Sequence, residues 1–349
     1  MTDPVDPARP VEPTQPAPST PGPMPSVQTI VRMAVDALQQ AGPELRILSA
    51  AVVLFGAAAV GIPLGSMILW SVVIGARGDP TPELPPAQDL AILVAILVGV
   101  VALIVLLVQI PLLVIATVGG RLAGRPLTLR EALRRSRQVF LKGLGGVIAI
   151  GLLTAIPTGI TQGILIAILG PTELASGLSL GAGAVFASPW VYVLPGIVLG
   201  GVGLSEALRR SWRIARFRWR IALTVALLGV VGQFVVVSAA SAATGAIATV
   251  VLVAGNGADV PASVEPAAGV ALLIAGVIVA ASLVFGVQLV QFAPQASGFY
   301  AMTGYTSGLD AARGGAPEAL FQRRALVFYA LGILAGLYLL LSAFELRAG

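Results

Sequence analysis

From Leu90 to Gly120 the chain runs without a single charged residue, and comparable uncharged stretches recur along its length. A hydrocarbon layer about 30 Å thick is crossed by roughly 20 apolar residues in a helix. In lipid every backbone donor and acceptor must be satisfied within the segment itself, so helices are the simplest solution. With 349 residues and a mean hydropathy of +0.94, the chain cannot fold as an ordinary water-soluble domain. Apolar runs at about 46–74, 89–118, 144–169, 184–203, 221–254, 268–300 and 325–344 are the expected spans. The expected fold class is an all-α integral membrane protein, a helical bundle of about seven transmembrane helices.

Charge placement orients this bundle. The chain holds 21 basic residues and a pI near 10.2, but 13 of the 21 fall in two stretches, 121–142 and 209–220, each between apolar runs. That is the positive-inside pattern of cytoplasmic loops, not a nucleic-acid footprint. With the N-terminus inside, only Arg77 and Arg347 fall outside, where Asp79, Glu83, Asp89, Glu173, Asp259 and Glu265 also lie. A cell-membrane protein with a cytoplasmic N-terminus and an extracytoplasmic C-terminus is therefore expected. No basic, apolar, small-residue leader opens the chain, so no cleavable signal is expected.

The domain layout follows from composition. Residues 1–25 hold nine prolines, five of them spaced by three, as one ridge of a polyproline II strand would be. They read as a disordered cytoplasmic tail, or alternatively as a ligand for a proline-reading partner. Residues 26–42 follow as an amphipathic juxtamembrane helix capped by Ser26, with Val27, Ile30, Val31, Ala34 and Leu38 on its apolar side. Residues 43–302 form a six-span membrane domain, and 303–349 a cytoplasmic loop plus the seventh span.

Within the membrane domain an octapeptide recurs, "LREALRRS" at 129–136 and "LSEALRRS" at 204–211. Each copy follows an even-numbered span. Thr128 and Glu131 have capping-box spacing, while Gly203 leaves the second copy only half a box. Glu131 and Arg135, like Glu206 and Arg210, are spaced for i,i+4 pairing. Helical spacing sets Leu129, Leu133, Ser136 and Phe140 apart from Arg130, Arg134 and Arg137. It likewise sets Leu204, Leu208, Ser211 and Ala215 apart from Arg209, Arg213, Arg216 and Arg220. With Trp212 and Trp219 beside them, both copies read as interfacial helices, apolar side toward lipid and arginines toward headgroups or water. Pro111 and Pro195 precede the copies, and "VQFAPQASGFYAMTG" around Pro294 resembles a third, worn copy. Three hairpins from one repeated unit, with the C-terminal span added, are the expectation.

An apolar span with a proline, a short connection into "EALRRS", then the basic aromatic stretch "WRIARFRWRI" resembles the glycerophosphoryl diester phosphodiesterase membrane-domain family, best over 105–220. The resemblance implies a polytopic membrane architecture. Family members that carry a phosphodiesterase domain use histidines for catalysis, and this sequence has none, so the activity is not carried over.

Composition also limits chemistry. With no His and no Cys, the commonest general base, the commonest metal ligand and every thiolate site are excluded. No Asp, Glu, Lys or Arg lies deep in an expected span, which weighs against a proton-coupled pump. Gln109, Gln162, Gln233, Gln288, Gln291 and Gln295 are the polar intramembrane candidates, the last three at i, i+3 and i+7. They either line a path for a headgroup or solute or hydrogen-bond neighbouring helices. Gly159 and Gly163 form a GxxxG pair. The expected protein is non-catalytic and without a cofactor. Its expected partners are membrane lipids, anionic ones included, and a membrane or cytoplasmic protein, but not nucleic acid. The alternative is a permease or lipid-handling transporter along the glutamine-bearing helices.

Overall fold

The computed structural model describes residues 25–67, 70, 86–235, 238, 265–311 and 323–348. The proline-rich tail, the loop acids Asp79, Glu83 and Asp259, Arg77, Arg313 and most of 236–254 lie outside the described residues. Among the described residues every regular element is helical. Five rods are long and apolar enough to cross a membrane: Gly42–Met67, Pro86–Leu122, Phe140–Leu169, Glu173–Val198 and Ala325–Ser342.

Helix α1 (Val27–Gln40) begins where expected, with the Ser26 hydroxyl accepting from the Thr29 N–H at 3.1 Å. Its apolar side packs on protein. Ile30, Ala34 and Ala37 are buried, while Val31 faces out. Helix α2 (Gly42–Gly56) runs through a π-turn at Ala57–Gly61 and on to Met67. Helix α3 (Pro86–Leu122) has 37 residues, about 55 Å at 1.5 Å per residue, far more than a bilayer requires.

The burial pattern divides α3 in two. Up to Leu107 it exposes leucines, isoleucines and valines at helical intervals, and from Val108 to Gly120 every residue is buried. Its enclosed end meets two others. Helix α5 (Phe140–Leu169) and helix α6 (Glu173–Ala187) form a hairpin, and α6 continues through a 3-10 turn (Ser188–Trp190) into the short α7 (Val193–Val198). Residues 191–200 are all buried, as are 292–299 in the 39-residue helix α10 (Glu265–Thr303). Each enclosed stretch carries one of Pro111, Pro195 and Pro294. They interlock through glycines: Gly119 against Leu199, Gly196 and Gly200 against Phe299, and Gly298 against Tyr192. The three prolines suspected of marking repeats thus mark one shared core.

Helix α4 (Leu129–Gln138) and helix α8 (Leu204–Phe217) wrap that core, packing on α3 and α7 respectively. Helix α9 (Trp219–Val235), the short α11 (Ser307–Asp310) and α12 (Arg323–Ala348) complete the described chain. Helix α1 packs on α10 and α3.

Two expectations need correction. The apolar runs put Glu173 in an outer loop ahead of a span starting near 184. Instead it opens α6, whose Thr172 cap accepts from the Ala175 N–H at 3.2 Å. Residues 175–187 are rich in Gly, Ala and Ser, which dilutes hydropathy and hides the first turns of the span. The apolar side of each octapeptide helix also packs on protein rather than facing outward. The centre of their buried side is small, Ala132 with Ser136 and Ala207 with Ser211, all fully enclosed by protein, while Leu129, Leu133, Leu204 and Leu208 are only half-buried flanks. Small side chains let α4 and α8 lie close against the helices they cover.

Candidate functional site

The two octapeptides share a fold and differ in what their arginines do. In the first, Thr128 and Glu131 form the capping box, the Glu131 N–H donating to the Thr128 hydroxyl at 3.3 Å and the Thr128 N–H to the Glu131 carboxylate at 2.9 Å. Ser136 accepts from Gln109 Nε2 at 3.2 Å and donates to the Leu133 carbonyl at 3.0 Å. Ser211, its counterpart, accepts from the Tyr192 N–H at 3.2 Å and donates to the Pro189 carbonyl at 2.6 Å. Both serines therefore tie a wrapping helix to the rod beneath it.

Arg135, spaced for i,i+4 pairing with Glu131, is 4% exposed and turned inward. Its Nε and Nη2 donate to the Val198 carbonyl at 3.0 and 2.8 Å, and Nη2 also to the Ile197 carbonyl at 3.1 Å. The last carbonyls of a helix have no partner within it, and a cation there also suits the helix dipole. Arg135 thus caps α7 from the first octapeptide. Burial lowers its pKa to about 10, still far above neutrality. Gly308 packs against both groups, its N–H donating to the Leu199 carbonyl at 2.8 Å. Arg121 pairs with Glu44, and Arg125 with Asp310 at 3.0 Å. Arg130 is exposed, and Arg134 and Arg137 are half-buried. The first basic stretch is largely structural.

The second copy keeps its cations outside. Gly203 makes no side-chain cap, so Glu206 is left to its own helix. Its carboxylate accepts from Arg210 Nε at 2.8 Å and from Arg213 Nη2 at 3.4 Å. The hydrogen bond from Arg210 holds its pKa below the ordinary carboxylate value, and the charges of Arg210, Arg213 and Arg209 add to this against a smaller effect of burial. Arg210 lies 5.1 Å from the Tyr305 ring centre. Arg209, Arg213, Arg216 and Arg220 are all exposed, and Phe217, Trp219 and Trp212 stand among them at 81%, 59% and 50% exposure. Where α8 passes the break between α6 and α7, Trp190 and Trp212 pack at 5.6 Å between ring centres with a 31° tilt. Those rings, with Glu206, Leu208, Arg209 and Arg213, line an open groove of about 600 Å³.

The six glutamines do not share a surface. Gln109 is buried in its bond to Ser136. Gln162 and Gln233 face outward from α5 and α9. On α10, Gln295 is buried, Gln291 lies against Gly229, and Gln288 is half-buried with an enclosed, unpartnered Oε1. Gly159 and Gly163 face open space. Among the described residues no group of three acidic, His or Cys side chains is placed to hold a metal. The geometry defines a class, an all-α protein built of membrane-length rods around a shared core, with one arginine- and aromatic-rich outer helix. No protein-family profile, curated protein or solved structure matches the chain.

Proposed function

We propose that the chain is a non-catalytic multi-pass membrane protein that engages anionic lipid through the outer side of α8. The observation that carries this reading is the company kept there: Arg209, Arg213, Arg216 and Arg220 interleaved with Trp212, Phe217 and Trp219, all exposed. Exposed aromatics of this size are costly in water and favoured at the boundary between headgroups and hydrocarbon. Each arginine near an anionic leaflet contributes about 1 kcal/mol. Counting α9 and α10 with the five apolar rods yields seven spans, the N-terminus and the basic end then being cytoplasmic and the C-terminus outside. We further propose kinship with the glycerophosphoryl diester phosphodiesterase membrane domains in architecture alone, on the strength of the "EALRRS" and "WRIARFRWRI" stretches.

The test is reconstitution into nanodiscs of mixed phosphatidylglycerol and phosphatidylcholine, followed by native mass spectrometry of the lipids that stay bound. Wild type should retain phosphatidylglycerol above its share of the mixture. Changing Arg209, Arg213, Arg216 and Arg220 to Gln together should bring retention down to that share, and unchanged enrichment would refute the reading.

A further inference from the structure

We propose that the groove between Trp190 and Trp212 is a discrete site for the phosphate headgroup of one anionic phospholipid. This rests on the reading of α8 as the lipid-facing helix and adds to it a place and a stoichiometry.

The walls of the groove are sorted by chemistry. Trp190, Trp212 and Leu208 form an apolar side, and the two rings already lie against each other, so they present a broad wall that a ligand covers without entering between them. Arg209 and Arg213 stand one helical turn apart on α8. Among the described residues Arg209 has no hydrogen bond or ion pair, and Arg213 reaches Glu206 only at 3.4 Å, the shorter bond of that carboxylate going to Arg210. Three guanidinium groups, Arg209, Arg210 and Arg213, thus face one carboxylate, which leaves a net positive groove. Arginine forks match phosphate oxygens in pairs, whereas a choline or ethanolamine ammonium would be repelled.

The apolar wall favours a lipid over a free phosphate. Trp190 belongs to the Glu173–Val198 rod, which is apolar enough to cross a membrane. A molecule whose phosphate meets the arginines can therefore run its acyl chain along that rod. A soluble phosphate would leave the tryptophan wall uncovered.

The full-length protein in neutral detergent would be titrated with dihexanoyl phosphatidylglycerol, dihexanoyl phosphatidylcholine and glycerol phosphate, following tryptophan emission and counting bound lipid by native mass spectrometry. The expected result is saturation at one phosphatidylglycerol per chain, with the other two compounds at least tenfold weaker. Arg209→Gln with Arg213→Gln should weaken binding at least tenfold. The paired lysine variant at those positions, which keeps charge and loses the fork, should weaken it several-fold. Arg216→Gln with Arg220→Gln, on the same helix but outside the groove, should weaken it less than threefold, clearly less than the groove pair. Equal weakening by both glutamine pairs would mean that lipid senses only the summed charge of α8, overturning the groove and sparing the broader reading. No weakening by either pair would overturn both. Glycerol phosphate binding as tightly as the lipid would overturn the lipid assignment.

Discussion

Arg135 and Arg210 occupy the same place in the octapeptide and lead opposite lives, because of what lies beneath each. A buried guanidinium is tolerable only when its donors find acceptors, and the carbonyls of Ile197 and Val198 supply them at 2.8–3.1 Å. Arg210 stays half-buried with Glu206 and Tyr305. Arg135→Gln should therefore destabilise the protein by about 2–4 kcal/mol, since charge-assisted bonds are lost and helix-end carbonyls left enclosed without partners. Arg210→Gln should cost under about 1 kcal/mol, as partly exposed ion pairs do. Thermal unfolding in detergent checks this, and equal effects would contradict it. Glu206 makes a second prediction. Its lowered pKa means that its pairing with Arg210 is complete above the ordinary carboxylate range and is lost only as acid takes the pH below that range. The chain has no His, so anionic-lipid binding should be level from about pH 5.5 to 8.5. A step inside that window, seen in the same lipid titration, would show that some other group governs binding.

Elements were legible where hydropathy and caps speak together. The Ser26 and Thr128 caps appear as read, four of the five membrane-length rods lie on expected apolar runs, and both octapeptides are helical. What stayed hidden was the role of small residues. Helical spacing placed Ser136 and Ser211 on the contact faces with Leu129, Leu133, Leu204 and Leu208, yet the leucines are only flanks. Ala132 and Ala207, which it did not pick, are fully enclosed beside the serines, because close approach needs absence of bulk and hydropathy does not register absence. The same logic separates glycines that look alike in sequence. A Cβ at Gly308 would sit 2.5 Å from the Val198 carbonyl oxygen and 2.6 Å from Arg135 Nη2, while one at Gly159 meets nothing within 4 Å. Gly308→Ala should cost about 1–3 kcal/mol as an overpacked contact, and Gly159→Ala should leave the melting temperature unchanged or slightly raised. Matching losses in the two variants would count against the packed junction between α11 and the end of α7.

At the scale of the molecule, length is the informative quantity. Helix α3 outruns a bilayer, and its enclosed end joins α7 and the end of α10 in a core that α1, α4 and α8 enclose. Sequence could not show that their ends meet, since that requires Gly119, Gly196 and Gly298 to find Leu199, Phe299 and Tyr192 across distant stretches of chain. The candidate site was half legible for the same reason: both basic stretches stood out, and only the packing shows that Arg135 of the first is turned inward. With no native Cys, sidedness is open to single-cysteine labelling. Ser205→Cys should react from the cytoplasmic side of sealed vesicles and Pro171→Cys from the other, and labelling of both from one face would contradict the proposed topology. The most direct test of the account sets the two octapeptides against each other by the lipid they retain in native mass spectrometry. Changing Arg130, Arg134 and Arg137 to Gln should leave phosphatidylglycerol enrichment near wild type, whereas changing Arg209, Arg213, Arg216 and Arg220 should abolish it. Loss from the first set with retention by the second would contradict the assignment of α8 as the lipid-engaging helix.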